Sequence, residues 1–426
     1  MKLKRIFLIS LVSAIIGFSV PYVNYAIDST YEKIKVFIEA FEIIKDNYVE
    51  IKEDGDLIYS AINGMVNSLD DFSQFMRPKV YERVKSDTEG EFGGIGIRID
   101  VKDGWPIVIT PIPGTPAFKA KIYPGDRIIK IEGQSTENIT SEEVLEKLRG
   151  KPGTKVKITI AREPENKDSE WNVFDVELTR SMIKVDALVY KMIDSETGFI
   201  RILEFSGHMV DDFKKAMNDL ESKGMQKLII DLRYNPGGLL LGSIDIAKMF
   251  LDSNKMIVYT KGRSEKDYSE YRANSQAPYS KIPLVVLVNR YSASASEILA
   301  GALKDNKRAI IVGENTFGKA SVQTIVPLSD KSAIRLTVAK YYTPNGDMIQ
   351  RDPKTGKGGI VPDIELKIQR DEETALYEQL QEIYYPDGKQ KKAEKKEIED
   401  KVLKKGIEIL RMMDIIKGTM SFAEKK

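Results

Sequence analysis

PLVVLVNRYSASASEILAGA, residues 283–302, decides how this chain is read. Leu284 to Val288 form an unbroken apolar run, as expected of a strand buried on both faces of a partly parallel sheet. The run breaks at Asn289-Arg290-Tyr291, and three serines, Ser292, Ser294 and Ser296, then precede a helical pattern. A serine at a strand-to-helix turn points its hydroxyl away from the sheet, beside free backbone N–H groups that can hold an oxyanion. That is where a nucleophile belongs. Ser294-Ala295-Ser296-Glu297 is also a capping box, S-x-x-E, so Ser294 taken alone reads first as a helix terminator, and Ser292 and Ser296 compete for the same chemical role.

Working outward, strand-like FIRILEF, KLIIDLR, PLVVLVN and AIIVG alternate with helical DDFKKAMNDLESK, LLLGSIDIAKMF and SEILAGALKD. Such alternation predicts βα units, hence an α/β core over residues 181–367. From 84 to 180 the texture changes to short strand-like runs punctuated by turns, GGIGIRID, WPIVITPI, DRIIKIEG, VKITIA and WNVFDVEL, with one helix at Ser141 to Leu148. An amphipathic helix carrying Ile34, Phe37, Ile38, Phe41 and Ile44 marks a helical segment over 27–83, and DKVLKKGIEILRMM carries Val402, Ile409 and Met413 in an apolar stripe within a C-terminal helical segment, 368–426.

The residue inventory limits the chemistry. The chain has no cysteine and one histidine, which excludes a thiol nucleophile and a multi-thiolate zinc site. His208, in SGHMVDDF, precedes a helical stripe of Val210, Phe213, Met217 and Leu220, and a surface or capping role is expected of it in place of a Ser-His-Asp triad. The other base that activates serine is a lysine made neutral by burial. Moving a lysine from pKa ~10.4 to ~7.5 destabilises the ammonium by about 4 kcal/mol, which a folded site sustains. Lys319 stands out because it follows the strand-like AIIV in the short-residue segment GENTFGKASVQ, and Gln323 four residues on can fix the amine.

Three motifs, DLRYNPGGLL (Asp231–Leu240), SASASEI (Ser292–Ile298) and FGKASVQ (Phe317–Gln323), in this order, resemble the core motifs of the carboxy-terminal processing (tail-specific) protease family. GMVNSLDDFSQFM at Gly64–Met76, AKYYTPNG at Ala339–Gly346 and GIVPDIEL at Gly359–Leu366 extend the likeness. The resemblance implies a crotonase-like βα protease core, Ser294 as nucleophile, Lys319 as general base, Gln323 orienting the lysine, and an oxyanion hole from Ala295 N–H with one N–H of the Gly237-Gly238 turn. Ala320 stands where the family has glycine, and Tyr234 where asparagine is common. The turn-rich segment resembles a PDZ domain, in which Gly93, Gly94, Ile95, Gly96 and Ile97 would form the loop that receives a terminal carboxylate next to an edge strand. Arg149, in LRGKPGTKV, would then sense tail occupancy.

A phosphate-binding loop is the rival for Lys319, since Gly313 to Lys319 has G-x-x-x-x-G-K spacing. Ala320 lacks the hydroxyl that would hold magnesium, and SVQTIVPL reads as a strand where a helix is required. The expected activity is therefore serine endopeptidase cleavage of proteins with unstructured C-terminal tails, needing no metal or organic cofactor. A catalytically silent PDZ scaffold or chaperone for the same tails is the alternative. A regulatory or adaptor protein and a second copy of the chain, forming a homodimer or larger assembly, are the other expected partners. With 65 basic and 64 acidic residues there is no electrostatic reason to expect nucleic acid. Lys2, Lys4 and Arg5 before the apolar stretch Ile6–Val20 have the form of an export signal or membrane anchor over 1–26, placing the body in the periplasm or otherwise outside the cytoplasmic membrane.

Overall fold

The computed structural model describes residues 30–423 apart from 103, 113, 124, 140, 164–169, 353, 370–371, 373–375, 377–378 and 380–397. The export segment expected over 1–26 lies outside the described residues. Two compact units are formed, one from the chain up to Arg77 with Val326–Arg335, the other from Pro78–Ile325 with Leu336 onward.

In the smaller unit a helix over 30–47 precedes the helix Asp54–Asn67. Ile34, Phe37, Ile38 and Ile44, from the apolar stripe of the expected amphipathic helix, are half-exposed. The short strand Gln74–Met76 pairs antiparallel with residues 333–335, Phe75 opposite Ile334, and buries Met76 completely. The Tyr59 hydroxyl donates to Asp330 at 2.7 Å, tying the helix to the inserted 326–335 segment within this unit.

The larger unit holds the expected α/β core. Its sheet runs in the order Leu188–Met192, Thr197–Ile202, Lys227–Asp231, Leu284–Val288, Ile310–Gly313, Ile364–Glu365, with every pairing parallel except the first. The decisive run Leu284–Val288 is 0–1% exposed, as a central strand covered on both faces must be. Full burial of such side chains contributes about 1.5–3 kcal/mol each. One face is covered by Met209–Ser222, Leu240–Lys248 and Ala295–Asp305, whose Phe213, Met217, Ile244, Leu299 and Leu303 join one apolar core. The C-terminal helix Lys401–Ala423 covers the other: Val402, Ile409, Leu410 and Met413 pack on Phe199, Ile229, Val285 and Leu287. The apolar stripe read from this helix is thus spent within the chain. Gly406 permits the close approach, because a Cβ there would lie 3.2 Å from Leu287 Cδ2.

The PDZ-like segment forms its own sheet in the order Ile97–Lys102, Trp105–Pro111, Arg127–Ile131, Lys155–Arg162, Asn172–Thr179, with the predicted helix at Ser141–Leu148. Its separate core contains Ile95, Val108, Ile128, Val144, Val156, Ile158 and Ile160. Ile97–Lys102 stands at the end of this order, so among the described residues one of its edges is free of strand partners. The run GGIGIRID is not one strand. It breaks at Ile95-Gly96, where Gly96 takes φ +75° against the Thr115 side chain. Gly93 and Gly94 belong instead to Glu91–Gly94, which pairs antiparallel with Ser181–Lys184, so the two chain segments entering and leaving this domain form one ribbon.

Candidate active site

The strand Leu284–Val288 delivers the chain to a turn built around Asn289. Its Oδ1 accepts the N–H groups of Tyr234 (3.0 Å) and Tyr291 (3.2 Å), joining this turn to the one after Lys227–Asp231. The three serines then separate by environment. Ser292 is fully buried, with its hydroxyl donating to Leu232 C=O at 2.9 Å, and Ser296 is fully buried, donating to Asn235 C=O at 3.1 Å. Both are structural. Ser294 alone is partly accessible, and its backbone sits at φ 54°, ψ −113°. A helix N-cap is ordinarily extended, so capping does not explain that conformation. A non-glycine residue in the left-handed half of φ space is strained and persists because its surroundings over-determine it.

Glu297 supplies much of that determination. Its carboxylate is fully buried yet accepts four hydrogen bonds: Thr316 Oγ1 (2.6 Å) and Gly318 N (2.7 Å) on Oε1, Ser294 N (2.9 Å) and Lys319 N (2.9 Å) on Oε2. Burial pushes this carboxyl above its ordinary pKa, against the opposing pull of the four donors. Two bonds of 2.9 Å to one oxygen keep the Ser294 and Lys319 nitrogens within about 5.8 Å, a span that the four-carbon stem of a lysine bridges. Tyr341 repeats the tie on the carbonyl side, its hydroxyl donating to Lys319 C=O and lying 3.2 Å from Ser294 C=O. Burial and then the nearby Glu297 charge hold the Tyr341 phenol well above its usual pKa, so it stays a neutral donor.

Lys319 and Gln323 are both partly buried, the first just before and the second within the strand Ser321–Pro327. That a strand follows Lys319 removes the phosphate-loop reading, which needs a helix there. Ala320 is fully buried, is not among the residues with positive φ, and donates its N–H to Gln350 Oε1 at 3.2 Å, so alanine is accommodated in place of glycine. Tyr234 does take φ 62°, a conformation asparagine adopts more easily, and its ring stacks on Tyr291 at 5.6 Å between centroids.

The Gly237-Gly238 turn lies against Ser294. A Cβ on Gly237 would stand 2.8 Å from Ser294 Cβ and 3.0 Å from Ala295 N, and one on Gly238 would strike Phe205 O at 2.4 Å. Both positions require glycine on approach and on φ, +106° and +132°. Gly237 N–H is itself committed to Asn235 Oδ1 at 2.8 Å, which leaves Gly238 as the donor this turn can offer. Asn235 was not singled out in the sequence, yet it joins the turns: its C=O accepts Ala293 N–H at 3.0 Å and its Nδ2 donates to Ile202 C=O at 2.9 Å. Tyr341 was missed too, although the AKYYTPNG motif contains it.

His208 is paired within its own helix. It occupies the N-cap position of Met209–Ser222 without a side-chain cap bond, and its Nδ1 pairs with Asp212 Oδ2 at 2.7 Å. Arg149 lies at the end of Ser141–Leu148 with its guanidinium over the Phe92 ring, 4.3 Å from the centroid, and is partly buried where a solvated turn residue would be exposed.

A strained serine in the turn after a buried strand, a lysine whose N–H shares its carboxylate, and a glycine turn packed on that serine are the makings of a serine-type hydrolase site on an α/β sheet. The chain belongs to peptidase family S41, the carboxy-terminal processing proteases, and carries a PDZ domain. Residues 196–366 match the peptidase family S41, 83–161 the PDZ domain, and 20–79 the activating protease CtpB N-terminal domain. It is 39% identical to the carboxy-terminal-processing protease of Bartonella bacilliformis over 79% of this chain and 75% of that one. It is 36% identical to the carboxy-terminal processing protease CtpA of Bacillus subtilis, over 80% and 70%. The solved photosystem II D1 C-terminal processing protease is similar at 30% identity and TM-score 0.46, over 78% of this chain and 92% of that chain.

Proposed function

We propose that this serine peptidase cleaves proteins bearing unstructured C-terminal tails, with Ser294 as nucleophile and Lys319 as general base. Neutral Lys319 takes the hydroxyl proton as Ser294 Oγ bonds to the scissile carbonyl carbon. Gly238 and Ala295 N–H groups hold the resulting oxyanion. Protonated Lys319 then gives its proton to the departing amine, and water releases the acyl group through the same base. Gln323 orients the lysine amine. The observation that carries this reading is the shared Glu297 carboxylate, which fixes Ser294 and Lys319 against each other while Ser292 and Ser296 are buried in structural bonds. A silent PDZ scaffold would have no use for a serine held at φ 54°.

The free edge of Ile97–Lys102 supports tail capture by strand addition, with Ile95 and Gly96 leading into it and Gly93 and Gly94 placed further back in the ribbon. The seating of Arg149 on Phe92, within that ribbon, supports a role in reporting tail occupancy. The half-exposed stripe of the 30–47 helix supports self-association, and the basic and apolar N-terminal residues support export across the cytoplasmic membrane. The deciding experiment incubates a folded protein carrying an apolar C-terminal tail with wild type, Ser294→Ala and Lys319→Ala, across pH. Cleavage is expected only in wild type, rising with pH as the base loses its proton. Equal product from all three overturns the assignment.

A further inference from the structure

Arg233 lies four residues before Gly237, in the segment that ends Lys227–Asp231 and enters the oxyanion turn. It is 2% exposed, and its guanidinium is fully engaged by two carboxylates. Asp231 accepts Nε at 2.9 Å and Nη2 at 2.8 Å, and Asp400 accepts Nη1 at 2.8 Å and Nη2 at 2.7 Å. Asp231 belongs to the same strand, but Asp400 comes from 167 residues away, at the start of the C-terminal helix, where its Oδ1 also accepts Leu403 N–H at 3.0 Å. Arg201, equally buried, reaches Arg233 C=O at 3.4 Å. Burial alone would raise the Asp400 carboxyl, yet Arg233 and Leu403 N–H, with Arg201 nearby, hold it below the ordinary carboxylate range.

A buried guanidinium with one carboxylate already in its own strand does not need a second from a distant helix to remain in place. The second fixes the direction in which the guanidinium points, and so the path of Tyr234 and Asn235. Tyr234 is held at φ 62°, and Asn235 orients Gly237 N–H through its Oδ1. We propose that Asp400 is a positioning residue for the oxyanion turn, acting through its ion pair with Arg233 to aim the Gly238 donor. This rests on the peptidase reading above.

The test is steady-state cleavage of a short fluorogenic peptide by full-length Asp400→Asn, an exchange that keeps the N-cap for Leu403 but removes the charge. Deleting one oxyanion donor lowers kcat about 10²- to 10³-fold, and a donor displaced instead of lost should lower it about 10-fold, with KM within about twofold. Affinity for a peptide boronate, which mimics the tetrahedral state, should fall in step with kcat/KM, while affinity for an uncleaved peptide should hold. Leu410→Ala, which loosens the same helix without touching the ion cluster, should lower the melting temperature and leave kcat intact at a temperature where it is folded. Wild-type kcat in Asp400→Asn, or an equal fall in Leu410→Ala, overturns the proposal. If Asp400→Asn does not accumulate folded, Asp400→Glu is assayed instead. Its extra methylene displaces Arg233, and wild-type kcat there is equally fatal. Ser294→Ala run in parallel separates the two claims, since activity surviving in it rejects the peptidase reading itself.

Discussion

Replacing Glu297 with glutamine exchanges a buried carboxylate that accepts four donors for a group with one acceptor oxygen and an NH₂. The Thr316 hydroxyl can rotate to accept from the new amide, so the NH₂ settles on the side now facing Thr316 and Gly318, 2.6 and 2.7 Å from the present Oε1. Gly318 N–H then faces another donor, and the Ser294 and Lys319 N–H bonds become neutral ones. A buried donor left unsatisfied costs about 1–3 kcal/mol, and hydrogen bonds to a charged group contribute about 1.5–3 kcal/mol against about 1 for neutral ones. Relief from burying the charge offsets part of this, leaving an expected destabilisation of about 2–4 kcal/mol. Because the bonds to Ser294 and Lys319 weaken together while Gly318, beside Lys319, loses its acceptor, kcat should drop at least about 10-fold, the equivalent of about 1.4 kcal/mol in the barrier. Peptide cleavage kinetics and thermal unfolding measured on the same preparation decide it. A Glu297→Gln enzyme with kcat within twofold of wild type and an unchanged melting temperature would refute the claim that this carboxylate sets the site.

Two further outcomes are expected. His208→Ala should leave kcat and its pH dependence unchanged and cost about 1 kcal/mol or less in stability, because the ring is spent on a partly exposed pair with Asp212; a lost acid limb in its pH–rate profile would reinstate a histidine base. Arg149→Ala removes a cation–π contact with Phe92 that contributes about 0.5–2 kcal/mol. Cleavage of tailed proteins should fall about 2- to 30-fold, with tail affinity by fluorescence polarisation and turnover of short untailed peptides both unchanged; undiminished turnover of the tailed substrate would remove its role.

The order of elements in the core was legible because unbroken apolar runs and 3.6-residue stripes record burial directly, and Leu284–Val288, Lys227–Asp231 and Ser141–Leu148 lie where those patterns place them. The break inside GGIGIRID was not legible, since alternating small and apolar residues run through the Gly96 turn without a change of period. Nor was the insertion of Val326–Arg335 into the N-terminal unit, a long-range pairing that leaves no local signature.

At the site, composition alone excluded cysteine chemistry, because what a chain lacks needs no coordinates to establish. The sequence could not rank Ser292, Ser294 and Ser296 without the motif register, since three equivalent hydroxyls at alternate positions differ only in where the turn aims them. Tertiary structure separated them, burying two against Leu232 and Asn235 carbonyls and straining the third. It also gave the capping-box residue Glu297 a second role as the tie between the Ser294 and Lys319 backbones, and placed Asp400 on Arg233. Periodicity is a property of neighbours along the chain and can be read there. A hydrogen bond between residues 22 or 167 positions apart exists only once the sheet and its helices have brought them together.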